Sequence, residues 1–400
     1  MSDCTTLESE QPKTTLKSWL AVLSLAGGTF VLINSEFLPI GLLSPIANDL
    51  NISAGQAGWT VMLPGLIAAL AAPLLMLFSR TLNRRTLLLT LSLSVIISNA
   101  VVMFSNSFST LLLGRIILGF AAGGFWSFSI PAGKRLVSEG QSARAISLIS
   151  AGVALGTVAG VPISAYIGEL FGWRMAFIVN ALLAVAIFIY QWAVLPSLPA
   201  GKSIGLGALV SAAKVKGVRR GLLIGIFMAA AQYSAYTYLE PWLRFQMHFS
   251  SSAISLLLMG YGLAGFIGTF LTEITVREFG VRKAFLINIL LVGLCVLVAS
   301  QLSSNVLWAS ALVVIWGLAF GALPICLNIW IYQAAPESFE GGSALLVCVF
   351  QIALACGAFV GGVLADTRGT SAAFCSRRGA GAASRIKYFF IKAATPVKQA

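Results

Sequence analysis

The sequence predicts an all-α membrane protein made of two parallel six-helix bundles, with the twelfth helix missing or replaced. Three observations carry that prediction. Of the 400 residues 58% are hydrophobic and only 10% charged, whereas soluble domains hold roughly 25% charged residues. Apolar runs of about 20 residues, the length that crosses a bilayer, recur along the chain. The two halves also repeat. At an offset of 197, Arg80 maps to Arg277, Asn83 to Gly280, Gly160 to Gly357 and Phe177 to Phe374. Two such halves in the same orientation form a parallel repeat.

Residues 1–18 are polar and mixed in charge. The run Trp19–Leu43 is too long for a signal-peptide core and has no small-residue cleavage site, so it is a retained first span. Ala57–Phe78, Thr86–Phe104, Leu111–Ile130, Ala145–Gly168 and Met175–Val194 complete a first bundle over residues 19–194. A polar linker over residues 195–220 holds Pro196, Pro199 and five basic residues. Gly221–Trp242, Ser252–Ile274, Ala284–Leu302, Val306–Ile331 and Ser343–Ala365 give five spans in residues 221–374. The repeat calls for a twelfth after Phe374, matching Ile178–Val194. Residues 375–400 are instead a basic, non-spanning tail; Arg377–Ala400 carries six basic residues and no acid. That end reads as frameshifted or foreign to the original gene.

A formal charge of +13 suggests nucleic acid in a soluble protein. Here the basic residues sit in short loops, so they report topology. Lys13, Lys17, Arg80, Arg84, Arg85, Lys134, Arg135, Arg144, five linker residues, Arg277, Arg282 and Lys283 fall on one side. Arg174, Arg244 and Arg368 fall on the other, which puts the N-terminus and the linker in the cytoplasm. The expected partners are the lipid bilayer, a small-molecule substrate and protons, with no nucleic acid, and the chain is expected to be a monomer. The six cysteines show no CxxC spacing, and the single histidine, His248, lies in a loop. No metal, cofactor or catalytic cluster is expected, and the chain is not expected to be an enzyme.

One stretch organises the rest: Leu111-Leu-Leu-Gly-Arg115-Ile-Ile-Leu-Gly119-Phe-Ala-Ala-Gly123-Gly124. A permanent cation in hydrocarbon costs roughly 2.5–3.5 kcal/mol on insertion scales and is normally buried and paired. Gly119 and Gly123 lie a turn apart and admit a neighbouring helix. Arg115 either ties helices together or takes part in transport.

The fourth-span pattern Leu111-x-x-x-Arg115-x-x-x-Gly119 and the fifth-span pattern Gly156-Thr-Val-Ala-Gly160-Val161-Pro162 resemble motifs of the major facilitator superfamily. The likeness is to its twelve-span drug:proton antiporters, over about residues 19–374. In those exporters the fifth-span motif is Gly-x-x-x-Gly-Pro; here the proline is displaced by one. The loop motif Gly-x-x-x-Asp-Arg-x-Gly-Arg-Arg survives only as Arg84 and Arg85, with Arg80 at the acid and Asn83 at a glycine. Asn34-Ser-Glu36-Phe-Leu-Pro39 and Tyr233-Ser-Ala-Tyr236-Thr-Tyr238-Leu-Glu240-Pro241 resemble bacterial sugar-efflux exporters. Gly123-Gly-Phe-Trp126-Ser and Ile315-Trp-Gly-Leu-Ala-Phe320 resemble purine-ribonucleoside efflux pumps.

The resemblance implies a multi-pass exporter of the bacterial inner membrane that moves a nucleoside, sugar or drug-like solute by proton antiport with alternating access. An uncoupled facilitator and an inactive remnant lacking the twelfth span stay open. Glu36 and Arg115 are the expected proton-coupling pair, since the protonation of a carboxyl in low dielectric depends on its neighbours. Asn34, Trp126, Tyr233, Tyr236 and Glu240 are the expected substrate pathway, although Glu240 also fits an interfacial acid beside an aromatic anchor. Gly119, Gly156, Gly160, Pro162, Arg84 and Arg85 are assigned to packing and gating. The stripe Gly152, Gly156, Gly160 is expected to pack against a second-half helix.

Overall fold

The computed structural model describes residues 15–79, 81–200, 206–299, 301 and 306–369. Helix is the only regular structure among them, and eleven helical stretches there are long and apolar enough to cross a membrane. The expected twelfth span, the basic tail and Arg80 lie outside the described residues.

In the first half, α1 (Leu16–Phe37) continues through a tight 3-10 turn at Leu38–Leu42 into α2 (Leu43–Leu50). Then follow α3 (Ala54–Phe78), α4 (Arg84–Met103), α5 (Phe108–Arg135), α6 (Ser142–Phe171) and α7 (Trp173–Val194). A short helix, α8 (Leu206–Lys214), lies in the linker. The second half has α9 (Lys216–Tyr236), a three-residue turn α10 (Leu239–Pro241), a π-helical turn at Trp242–Gln246, α11 (Ser251–Phe279), α12 (Val281–Ala299), α13 (Val306–Ala334) and α14 (Phe339–Arg368).

Polar caps extend these helices beyond the apolar runs. Thr15 with Ser18, and Ser53 with Gln56, form capping boxes. Ser107 and Ser250 cap α5 and α11. The sequence marks only the apolar part of each helix, so α5 runs from Phe108 to Arg135 where the apolar run is Leu111–Ile130. Lys17, Arg84, Arg85, Lys134, Arg135, Arg144, Lys214, Lys216, Arg219, Arg220, Arg277, Arg282 and Lys283 all belong to helix ends on one side, the basic end. Arg174 and Arg244 belong to the far end.

The repeat is visible in the backbone. Gly172 and Gly369, one repeat apart, follow α6 and α14 with φ of 84° and 86°, a region that L side chains avoid. In the first half α1 packs on α6, and in the second α9 packs on α14. Between halves the main contacts are α3 with α14 and α6 with α11.

The glycine stripe departs from the expectation. It faces α1, within its own half: a Cβ at Gly156 would lie 2.9 Å from the Phe30 carbonyl oxygen, and one at Gly160 would strike Asn34. Between α6 and the opposite half the close approach is made by Gly262 of α11, where a Cβ would lie 2.9 Å from Val158. Pro162 has no N–H for the Val158 carbonyl, so this is a distorted turn of α6. The outer surface carries large apolar side chains such as Leu74, Phe227, Phe270 and Leu290, as helices in lipid require.

Candidate functional site

Two prolines set up the centre of the first half. Pro39 cannot donate to the Ser35 carbonyl, and Pro64 cannot donate to the Thr60 carbonyl. Both oxygens are left without a helical partner inside a membrane-spanning bundle, where water cannot supply one. Arg115 supplies both. Its Nε donates to Thr60 O at 2.6 Å and one terminal nitrogen donates to Ser35 O at 2.7 Å. The other terminal nitrogen donates to Glu36 O at 2.9 Å. The side chain is 1% exposed. Gly119, a turn further along α5, makes this reach available, because a Cβ there would lie 2.7 Å from the Pro64 oxygen. Arg115 is thus a pin across the break in α1 and the kink in α3. The expected meeting of Glu36 and Arg115 runs through the Glu36 main chain, and the three guanidinium hydrogen bonds all go to carbonyls.

The Glu36 carboxyl points elsewhere. It is 1% exposed, and its Oε1 accepts from Gln351 Nε2 of α14 at 3.0 Å. This contact joins the two halves at mid-span. Phe37 stacks on Tyr233 of α9, with ring centroids 6.2 Å apart. Tyr233 meets Phe320 of α13 edge to face. Tyr236 stacks on Tyr261 of α11 at 4.7 Å, and both meet Trp316 edge to face. Gln232 fixes that group: Trp316 Nε1 donates to its Oε1 at 2.7 Å, and its Nε2 donates to the Tyr261 hydroxyl at 2.7 Å. Trp126 on α5 packs against the apolar clusters of both halves, and its indole N–H is buried without a partner.

Asn34 turns away from this centre. Its Nδ2 donates to Asn180 Oδ1 at 2.9 Å, in a polar group with Ser35 and Asn99 inside the first half. Its Oδ1 is buried against Gly160 with no hydrogen-bond partner. Ser164, on the turn after Pro162, donates to Leu38 O at 3.1 Å and so ties α6 to the break in α1.

Glu240 is a buried and paired acid at the far end. It is 0% exposed. Its Oε2 accepts from Ser44 N at 3.0 Å and Ser44 Oγ at 2.7 Å, and its Oε1 accepts from Arg244 Nε at 2.6 Å. The break after α9 thereby locks onto α2 of the opposite half. Beside it, Asp366 of α14 sits on the start of α3. It accepts from Ser53 Oγ at 2.6 Å and from Gly55 N at 2.8 Å. A carboxylate there also meets the positive end of the α3 dipole. Both acids come from the second half and each takes donors from the first, Ser44 for Glu240 and Ser53 with Gly55 for Asp366, so the far end is shut by two latches.

Arg84 and Arg85 work inside the first half. Arg84 donates to Ser79 O at 2.9 Å and lies over the Phe128 ring at 4.7 Å. Arg85 donates to Trp192 O at 2.7 Å. Among the described residues no group of three or more His, Cys, Asp or Glu is placed to hold a metal ion. Gln351, Gln232, Asn99, Asn180 and Asp366 join the site without being among the residues expected from the sequence. The signal was there for four of them, since polar side chains within apolar spans are functional candidates by default.

Known proteins share this sequence pattern and fold. The family model of the Major Facilitator Superfamily matches residues 25–221 and 221–392. The chain is 36% identical over 364 residues to the transcription regulatory protein OpdE of Pseudomonas aeruginosa, covering 89% of this chain and 90% of that protein. It is 34% identical over 356 residues to the purine ribonucleoside efflux pump NepI of Escherichia coli K12, covering 89% of each. The nucleoside transporter NupG has the same fold, with a TM-score of 0.76 at 13% identity over 94% of this chain and 99% of that one. A bacterial homolog of the human lysosomal transporter Spinster, solved in an inward-facing and unoccupied conformation, gives 0.71 at 19% identity over 94% and 89%. With eleven helices among the described residues long and apolar enough to cross a membrane, and with these relatives, the chain belongs to the Major Facilitator Superfamily of membrane transporters.

Proposed function

We propose that this protein exports a small solute across the bacterial inner membrane in exchange for protons, by alternating access. The basic end faces the cytoplasm, following the positive-inside rule, and the chain works as a monomer. A purine ribonucleoside is the first substrate to test, because the efflux pump NepI shares 34% identity over 89% of its length. The observation that carries the proposal is Glu36. Its carboxyl is buried between the two halves beside a pinned break in α1, takes its hydrogen bond from a neutral amide of the opposite half, and lies within electrostatic reach of the buried Arg115. Intramembrane acids are functional candidates by default, and proton relays are among the roles they fill. Phe37, Tyr233, Tyr236 and Trp126 offer ring faces and polar edges to a planar, hydroxylated solute. Arg115 holds the local backbone that presents Glu36.

The test uses everted membrane vesicles with an imposed proton gradient and a tritiated purine ribonucleoside. Glu36→Gln removes gradient-driven uptake by at least tenfold and leaves substrate exchange without a gradient in place. Gradient-driven uptake at the parental rate in Glu36→Gln overturns the proposal.

A further inference from the structure

A proton antiporter loads its proton on one side of the membrane and releases it on the other. Its acid must therefore meet different donors in the two conformations, since only a differential interaction shifts such an equilibrium. Glu36 has one donor that comes from the opposite half, the Gln351 amide at 3.0 Å. Gln351 lies in the part of α14 that packs on α3. A Cβ at Gly65 would lie 2.9 Å from the Gln351 carbonyl oxygen and 2.9 Å from Leu354. The same seam runs outward to Gly55, Gly362 and the Asp366 latch. The Gln351 amide is thus held at Glu36 by the same contact that shuts the far end.

We propose that Gln351 is the positioning residue of the proton site: its amide holds the Glu36 carboxylate while α3 and α14 are closed at the far end, and leaves it when they part. This rests on the proton-antiport proposal and names its control. A carboxylate accepts an N–H more strongly than a protonated carboxyl does, so the amide donor favours the ionised form. With the far end shut the donor is present and the proton leaves toward the basic end. With the far end open the donor is gone and a proton is taken up there. That order is the one an exporter driven by inward proton flow requires. Among the described residues, the other ionisable groups that interact with the Glu36 carboxyl are Arg115 on α5 and Tyr233 on α9. Arg115 is bonded to α1 and α3 of the same half and travels with Glu36. Tyr233 belongs to the other half, but a phenol stacked on Phe37 is not bonded to the carboxyl.

The test needs no transported solute. The full chain in proteoliposomes is treated with dicyclohexylcarbodiimide, which reacts with a protonated intramembrane carboxyl, at a series of pH values. Mass spectrometry of the Glu36 peptide gives the labelling midpoint, with Glu36→Gln as the unlabelled control. Gln351→Met, close in volume, moves the midpoint up by about one pH unit, a tenfold change in proton activity of the size expected for one hydrogen bond to a charged group. Gln351→Asn, too short to reach, moves it in the same direction and guards against a folding defect in the first variant. A parental midpoint in both variants overturns the role of Gln351 and leaves the proton-antiport proposal to the Glu36→Gln transport test. Labelling of the parent that does not change with pH counts against both.

Discussion

Glu36 in α1 and Tyr233 in α9 lie one repeat apart, at positions 36 and 233, yet they are chemically opposite. Each sits near the break in the first helix of its half, and the two breaks lie side by side, Phe37 stacked on Tyr233. In the first half the break is pinned by a cation and carries an acid. In the second it is surrounded by rings, with one glutamine, Gln232, satisfying a tyrosine and a tryptophan. The repeat position of Arg115 is Leu312, so the second half has no equivalent pin. The same backbone plan has been furnished once for charge and once for aromatic surface. Under the proposed mechanism the two halves divide the work, the first handling the proton and the second facing the solute.

Removing the pin has the largest expected effect. Arg115→Leu leaves the Ser35 and Thr60 carbonyls buried without donors, at about 1–3 kcal/mol each. Folded protein in the membrane, measured by size-exclusion fluorescence, falls at least tenfold. Arg115→Lys keeps the charge but loses the planar fork that serves α1 and α3 together. It folds, and gradient-driven transport falls about tenfold. Parental transport in Arg115→Lys means that the residue acts as a point charge, and the contrast between the halves then rests on Glu36 alone.

The latches sharpen the comparison at the far end, where the second half supplies both acids. Glu240→Gln weakens a buried contact to Ser44 and leaves Arg244 without its carboxylate. Amide hydrogen exchange in α2 rises about tenfold as the far end opens more often. Asp366→Asn acts on an exposed contact, and exchange in the first turn of α3 rises about threefold. Unchanged exchange in both variants means that the seam is held by packing at Gly55, Gly65 and Gly262 and not by the acids.

Much of this was legible in the sequence. The spans, the linker and the repeat follow from apolar run length and from the pairs Arg80 with Arg277 and Gly160 with Gly357. That Gly119 admits a neighbour was legible from its spacing to Gly123. Which neighbour was not legible, because spacing along one helix does not name the helix opposite. The Gly152–Gly160 stripe faces α1 for that reason, against the expectation of a second-half partner. Glu240 reads as interfacial because it stands beside Pro241 and Trp242, and only the fold places Ser44 over it. The prolines that free the Ser35 and Thr60 carbonyls are plain in the sequence. Their pairing with Arg115 depends on α1, α3 and α5 meeting at one point.

The division between the halves is tested most directly by measuring two variants in two assays. Glu36→Gln and Tyr236→Leu are reconstituted in proteoliposomes with a tritiated purine ribonucleoside. Counterflow, which needs solute binding but no net proton movement, is compared with uptake driven by a proton gradient. Glu36→Gln is predicted to keep counterflow within about threefold of the parent and to lose driven uptake by at least tenfold. Tyr236→Leu is predicted to lose both in the same proportion. If Glu36→Gln loses both equally, or Tyr236→Leu loses only driven uptake, then proton and solute are not handled by separate halves.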